Sequence, residues 1–129
     1  MILADTSAWI EFARHTGSPA NVRVRELVSQ RELATTDPVL MELLAGARSA
    51  GQRRRVRQLL ALCAFVPVAG PGDYEAAAEV YARCLRGGET VQSQLDCLIA
   101  AVAIRTSTPV LHADADFDVI ARHTPLEIA

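Results

Sequence analysis

The sequence predicts an α/β fold in which a parallel sheet of four or five short strands is sandwiched by helices. Three observations lead to this prediction. Short apolar runs alternate along the chain with longer segments whose apolar residues recur at helical spacing. The 129 residues, 50% of them hydrophobic and 22% charged, suffice for one domain with a buried core and leave little room for two. No linker, repeat or low-complexity segment interrupts the chain, so we expect a single domain over residues 1–129.

The first strand and the first two helices follow from the apolar pattern and its capping residues. Ile2–Ala4 is a short apolar run followed at once by the polar turn Asp5-Thr6-Ser7, which predicts a strand that leads into a helix. Ser7 is a suitable cap for that helix, which we expect over residues 8–14. Ser18 and Pro19 then provide the cap and the first-turn proline of a second helix.

The later elements continue this alternation. Glu32–Thr35 is a weak second strand, and Asp37-Pro38 opens a helix in which Glu42 lies off the apolar stripe. We expect the stripe itself to be buried, and its members are Leu40, Leu43, Leu44 and Ala47. The remaining predicted elements are, in order, a helix at 52–63, a strand at 65–68, a helix at about 74–86, a helix at about 93–105, a strand at 109–112, a short helix at 116–121 and a candidate last strand at 126–128.

Arginine supplies all 13 basic residues, because the sequence contains no lysine. This excludes a Walker A loop, Schiff-base enzymes and most lysine-assisted phosphatases, each of which depends on a lysine. The formal net charge of −2 argues against a protein that holds nucleic acid by bulk charge. Residues 13–57 nevertheless carry nine arginines against four acids, so we expect a basic surface in the first half of the chain.

The compartment is predicted from the cysteines and from hydropathy. Cys63, Cys84 and Cys97 are an odd number without CxxC spacing, and they lie at or beside apolar positions, as buried thiols of a cytosolic protein do. The amino terminus has no basic region, and no apolar run approaches the roughly 18 residues of a membrane span. We therefore expect a cytoplasmic protein that makes no membrane contact.

Five acids stand where functional groups of an α/β sheet collect. Asp5 follows the first strand, and Asp114 and Asp116 follow the fourth, at the carboxyl ends where parallel strands turn into helices. Glu42 and Asp96 lie on helices, in turns that also contain small residues. Together they predict a carboxylate cluster.

Each acid taken singly has an ordinary structural explanation. Asp5 and Asp116 would serve as helix caps, and Glu42 as a solvated helix acid. Asp96 is harder to explain this way, because an idle charge is costly in the apolar segment LDCLIAAVAI. A cluster of four or five carboxylates needs a compensating positive charge, and none of these segments holds a lysine or arginine. Oxygen ligands favour Mg²⁺ or Mn²⁺ over a zinc site of the His/Cys type.

Four segments of the chain together resemble a known family. DTSAWIEF, DPVLMELLAG, DCLIAAVAI and VLHADADFDVIA are similar, in this order, to the motifs of PIN-domain ribonucleases, and specifically of the VapC toxins of bacterial toxin–antitoxin modules. The resemblance implies a Rossmann-like fold, a cluster of acids around Mg²⁺ or Mn²⁺, and a cognate antitoxin that blocks the cleft. Carried over by position, the catalytic acids are Asp5, Glu42, Asp96 and Asp114, and the metal ligands are Asp5, Asp96, Asp114 and Asp116.

Weaker candidates are residues for contact with the substrate. His112 stands where many relatives have Thr or Asn, and its imidazole would either contact a phosphate or be a tolerated residue at the strand end. Thr6 adjoins the first acid. Arg53, Arg54 and Arg55, in the run RRRVR, would grip an RNA backbone, although a solvated helix face has the same composition.

The predicted activity is that of a metal-dependent endoribonuclease. Water activated by the ion would attack a phosphodiester of a structured RNA such as tRNA or rRNA, with Glu42 or Asp96 as the base, leaving 5′-phosphate and 3′-hydroxyl ends. VLHADADFD also resembles the nucleophile motif of haloacid dehalogenase-type phosphatases, with Asp114 as nucleophile and Asp116 as acid. The absence of lysine and the 13 residues after Asp116 argue against that reading. The remaining alternative is a catalytically silent PIN-like module that binds RNA or protein.

A homodimer is predicted from apolar helix residues that a small sheet has too little area to cover. These residues are Trp9, Phe12, Val80, Tyr81, Cys84 and Leu85. The VapC resemblance implies the same two-fold dimer, with an antitoxin helix in a groove and a basic antitoxin side chain directed at the acids.

Overall fold

The computed structural model describes residues 1–129 and contains a parallel sheet and seven helices. The elements are β1 (Ile2–Ala4), α1 (Thr6–Ala13), α2 (Pro19–Gln30), β2 (Leu33–Thr35), α3 (Asp37–Gly46), α4 (Ala50–Leu60), β3 (Ala64–Phe65), α5 (Pro71–Arg86), α6 (Gln94–Arg105), β4 (Val110–Leu111) and α7 (Ala115–His123). The strand order is β3-β2-β1-β4, and all pairs are parallel. The predicted α/β class is therefore confirmed. The candidate fifth strand is reduced to one parallel bridge between Val110 and Ile128.

β1 lies in the middle of the sheet and brings two loops of the chain together. Leu3 is in register with Ala34 of β2 on one side and with Val110 of β4 on the other, and all three are buried. Because parallel strands end at the same edge, the segments after β1 and β4 lie next to each other there. This adjacency juxtaposes Asp5 with the segment that carries Asp114.

α6 is the most deeply buried helix. Its residues Asp96–Ala103 are all buried, so the helix is covered around its whole circumference rather than along one stripe. Its main neighbour is α5, and an ion pair fixes the far ends of the two helices. The guanidinium of Arg105 donates to both carboxylate oxygens of Asp73, which is 4% exposed, and to the carbonyl of Pro67. This bidentate pair lowers the pKa of Asp73 below its ordinary value.

The buried face of α3 differs from the prediction. The fully buried residue is Val39, whereas the leucine stripe and Ala47 are only half-buried. Leu43 and Ala47 instead line a groove between α3, α1 and α4. Glu42, one turn after Val39, is half-buried as a consequence, so the prediction that it lies off the buried side is wrong.

Most element boundaries move by a few residues for local reasons. α1 begins at Thr6 because Asp5, not Ser7, is its cap, and α7 begins at Ala115 because Asp114 is its cap. β3 ends at Phe65 rather than continuing to residue 68, and the amide of Val68 donates to Asp37 Oδ2 instead of to a strand.

Burial also corrects two predictions about apolar residues. Cys84 and Cys97 are buried as expected, but Cys63 is only half-buried. Of the residues offered as a dimer surface, Trp9, Val80 and Cys84 belong to the core, Phe12 and Tyr81 are half-buried, and Leu85 alone is exposed. The argument from surplus apolar surface therefore does not hold. None of the helices has the length and hydropathy that crossing a membrane requires.

Candidate active site

Asp5 is held at the end of β1 by the first turn of α1. Its Oδ2 accepts hydrogen bonds from the amide of Ser7 at 3.0 Å and from the hydroxyl of Ser7 at 2.6 Å. Its Oδ1 is buried and has no hydrogen-bond partner. Burial raises the pKa of Asp5 above its ordinary value, although the two bonds from Ser7 oppose this effect.

The hydroxyl of Ser7 also links the two loops at the sheet edge. Besides donating to Asp5, it accepts a hydrogen bond from the amide of Ala113 at 2.9 Å. Ala113 precedes Asp114, so this single hydroxyl fixes the first acid relative to the segment that carries the fourth. Sequence reasoning identified Ser7 only as a helix cap, because its partner lies 106 residues away in the chain.

Asp96 occupies the first turn of α6, inside the core. It is 6% exposed, and its Oδ2 is buried without a hydrogen-bond partner. Burial is the largest cause of a pKa raised to about 9, and a hydrogen bond with Asp116 together with the charges of Asp5 and Asp114 adds to it. At neutral pH the metal-free protein thus holds a proton on this carboxyl.

The two acids after β4 have different surroundings. Asp114 is exposed, and its Oδ1 accepts from the amide of Asp116 as the cap of α7. Asp116 is 5% exposed, and its two oxygens accept from the amides of Gln92 and Ser93, just before α6 begins. Asp116 thus ties α7 to the start of the helix that carries Asp96.

These acids form a group of potential ligands. Asp96, Asp114 and Asp116 each offer a carboxylate oxygen, and the three oxygens lie within 4.8 Å of one another. Asp5 lies outside this closest triad, yet its charge contributes to the raised pKa of Asp96. None of the chain's ion pairs involves any of these four acids with an arginine.

Glu42 reaches the site from α3. Its Oε1 accepts a hydrogen bond of 2.8 Å from the hydroxyl of Thr6. Burial raises the pKa of Glu42; the Thr6 bond opposes the rise, and the charges of Asp5 and Asp114 add to it. Thr6, a predicted substrate contact, is therefore placed where it orients Glu42.

His112 is turned away from the acids, with both ring nitrogens engaged. Nδ1 accepts from the amide of Asp114 at 3.1 Å, so the proton of the neutral ring is on Nε2, which lies 3.3 Å from Asp118 Oδ1. The ring packs at 5.3 Å on that of Phe117. In this arrangement it supports the backbone at Asp114.

The three candidate arginines do not share one surface. Arg53 and Arg54 line an open depression beside the start of α4. Arg55 lines the groove of about 630 Å³ between α1, α3 and α4, which Thr6 and Glu42 also line. Residues 53 and 55 project in nearly opposite directions because successive helix residues are about 100° apart.

The site fits a divalent cation on the chemistry of its donors. Every donor is a carboxylate oxygen, the set that hard cations prefer. Asp5 Oδ1 and Asp96 Oδ2 are buried without partners, which is costly unless a further group satisfies them.

Comparison with known proteins agrees with the fold and the site. The PIN domain family model matches residues 2–123. The VapC ribonuclease Mb1587 of Mycobacterium bovis and Ribonuclease VapC11 of Mycobacterium tuberculosis are each 47% identical to this chain over 131 residues, which cover 100% of the chain and 98% of either relative.

Solved structures of toxin–antitoxin complexes share the fold. VapBC2 from Rickettsia felis, bound to a DNA fragment from its promoter, has a TM-score of 0.76 at 17% identity, covering 100% of this chain and 98% of that one. VapBC-5 from Mycobacterium tuberculosis has a TM-score of 0.67 at 25% identity, covering 98% and 95%. The chain belongs to the PIN-domain family and, within it, to the VapC ribonucleases.

Proposed function

We propose that this protein is the toxin of a toxin–antitoxin pair and an endoribonuclease that requires Mg²⁺ or Mn²⁺. The observation that carries the proposal is the pair of buried, unpartnered oxygens, Asp5 Oδ1 and Asp96 Oδ2, in a carboxylate cluster without a protein cation. Asp5, Asp96, Asp114 and Asp116 would hold the ion. When bound, a divalent ion supplies positive charge that polarises the phosphodiester and lowers the pKa of the attacking water.

The remaining groups orient the acids and accept the proton. Glu42 is the base in this proposal: it is half-buried, its raised pKa brings it nearer to the neutral range where a base is most effective, and only its Oε1 is engaged by Thr6. Ser7 and Asp116 act as positioning residues, since they fix Asp5 and the start of α6 through hydrogen bonds.

The substrate in this proposal is structured RNA such as tRNA or rRNA, cut in a single-stranded loop. Because water is the nucleophile, the 2′-hydroxyl takes no part and the products carry 5′-phosphate and 3′-hydroxyl ends. The 47% identity to ribonucleases over the full chain supports RNA as the substrate class. Three free cysteines and the absence of disulfides support a cytoplasmic location.

The proposed protein partners are a cognate antitoxin and a second copy of the chain. The groove beside Glu42 has an apolar floor formed by Leu43, Val56 and Leu59, which suits the apolar face of a helix, and the acids beyond it would attract an arginine or lysine. Co-purification with the neighbouring gene product tests the antitoxin. A monomer by light scattering at high micromolar concentration would contradict the dimer.

The experiment that tests the activity is incubation with total RNA and millimolar Mg²⁺ or Mn²⁺, followed by mapping of the new 5′ ends, beside a sample in EDTA. We expect discrete cleavage sites with 5′-phosphates and no cleavage in EDTA. Undiminished cleavage in EDTA would contradict the metal requirement. RNA binding without any cleavage would identify a silent binding module instead.

A further inference from the structure

Four arginines surround an open depression at the start of α4. Arg53, Arg54 and Arg57 line it from the helix, and Arg48 lines it from the preceding loop. The depression has a volume of about 570 Å³. Positions 53, 54 and 57 are brought together by helical geometry, since residues one and four apart lie on the same side of a helix.

No acid compensates these four charges. The other residues that line the depression are Ala47, Ser49 and Ala50, and the first turn of α4 contains no acid. None of the four arginines is in an ion pair, whereas the four arginines of the second half of the chain all pair with acids. Like charges gathered in one concave surface repel one another, so a polyanion that binds there relieves an existing cost.

The depression is continuous with the groove that leads to the acids. Ala47 and Arg48 line both cavities, and the groove is lined at its other end by Thr6 and Glu42. A strand that lies in the depression is therefore directed toward the carboxylate cluster along one connected surface.

The chemistry of the depression favours a phosphate backbone over a protein segment. Guanidinium groups bind phosphate oxygens in a bidentate manner. Protein interfaces are anchored by large apolar or aromatic side chains in pockets, and the only apolar residues here are Ala47 and Ala50. The depression thus offers charge without an apolar anchor.

We propose that Arg48, Arg53, Arg54 and Arg57 bind the phosphate backbone of the RNA that is cleaved, on the side of the groove away from the acids. This rests on the proposed ribonuclease function. It replaces the predicted set of Arg53, Arg54 and Arg55, because Arg55 faces the groove and Arg48 and Arg57 face the depression.

The test is RNA binding measured by fluorescence anisotropy in EDTA, with a labelled single-stranded RNA of about twenty nucleotides in mixed sequence, at several salt concentrations. For the double variant Arg53→Gln/Arg54→Gln we expect weaker binding for every sequence and a salt slope lower by about 2, one for each lost phosphate contact. The matched control is Arg83→Gln/Arg86→Gln, which removes the same charge from exposed positions on α5. An equal loss in the two double variants would overturn the proposal, since it would reduce the effect to net charge.

A second readout separates this proposal from the ribonuclease function itself. With metal present, the Arg53→Gln/Arg54→Gln protein should cleave RNA with a raised KM and an unchanged kcat, because the contacts are far from the reacting atoms. Wild-type protein that binds RNA through these arginines but cleaves nothing would refute the activity and leave the surface assigned. Loss of binding to labelled poly-glutamate with RNA binding intact would overturn the proposal in favour of an acidic protein partner.

Discussion

The hydroxyl of Ser7 is predicted to hold the site together, and its removal in Ser7→Ala tests this directly. The hydroxyl donates to Asp5 Oδ2 at 2.6 Å and accepts from the amide of Ala113 at 2.9 Å. A hydrogen bond to a carboxylate contributes about 1.5–3 kcal/mol. The second bond adds less, because Ala113 is exposed and water replaces the lost acceptor. We expect the free energy of unfolding to fall by about 2–3 kcal/mol.

The measurement is urea unfolding of the metal-free protein, followed by far-UV circular dichroism. Ser29→Ala is the matched control: Ser29 lies on the exposed side of α2, and its hydroxyl donates only to the carbonyl of Glu26, so the change should stay within about 0.5 kcal/mol. Ser7→Thr keeps the hydroxyl and should recover most of the stability.

Activity should fall with the same change, since loosened positioning residues commonly cost about 10–100-fold at metal sites. The reasoning is refuted if Ser7→Ala unfolds at the same urea concentration as Ser29→Ala and cleaves RNA at the wild-type rate.

Three further predictions concern stability. The pKa of Asp73 is lowered by its arginine partner, so the ion pair stabilises the fold above the ordinary pKa near 3.8 and is lost as pH falls through the lower folded value; Asp73→Asn should flatten the pH dependence of urea unfolding between about pH 5 and 2. The pKa of Asp96 is raised to about 9, so the metal-free protein binds more protons than the unfolded chain and loses stability as pH rises from about 4 to 9. In EDTA, Asp96→Asn should therefore melt higher than wild type at pH 8 and nearly equally at pH 4, and a lower melting temperature at pH 8 would contradict this. A Cβ at Gly87 would collide with the ring of His123, so Gly87→Ala should destabilise by about 1–3 kcal/mol in chemical unfolding, while Gly72→Ala, in open space, should not.

The fold class and the acids could be predicted from the sequence because both follow from local patterns. Apolar runs of strand length and helical stripes predict the α/β alternation, and an acid after a strand predicts its place at the sheet edge. The face of α3 could not be predicted from periodicity alone. Val39 and the leucine stripe are equally apolar in sequence, and only the position of α1 and α4 decides that the leucines line a groove.

Contacts between distant residues were out of reach for a different reason. The bond between Ser7 and Ala113 spans 106 residues, and Asp116 accepts from amides more than twenty residues earlier. Backbone amides carry no sequence signal for such partners. The run of arginines showed its charge in the sequence, but which of them share a surface depends on the two cavities beside α4.

The most direct test of the central claim, that the carboxylates form a metal-dependent catalytic site, is the cleavage rate of Asp5→Asn and Asp96→Asn proteins with Mn²⁺. Glu75→Gln, which neutralises an exposed acid on α5, is the control. We predict that both Asn variants remain folded and lose cleavage by at least about 100-fold, while the control cleaves like wild type in Mn²⁺ and not at all in EDTA. Folded Asn variants that cleave at the wild-type rate would contradict the claim.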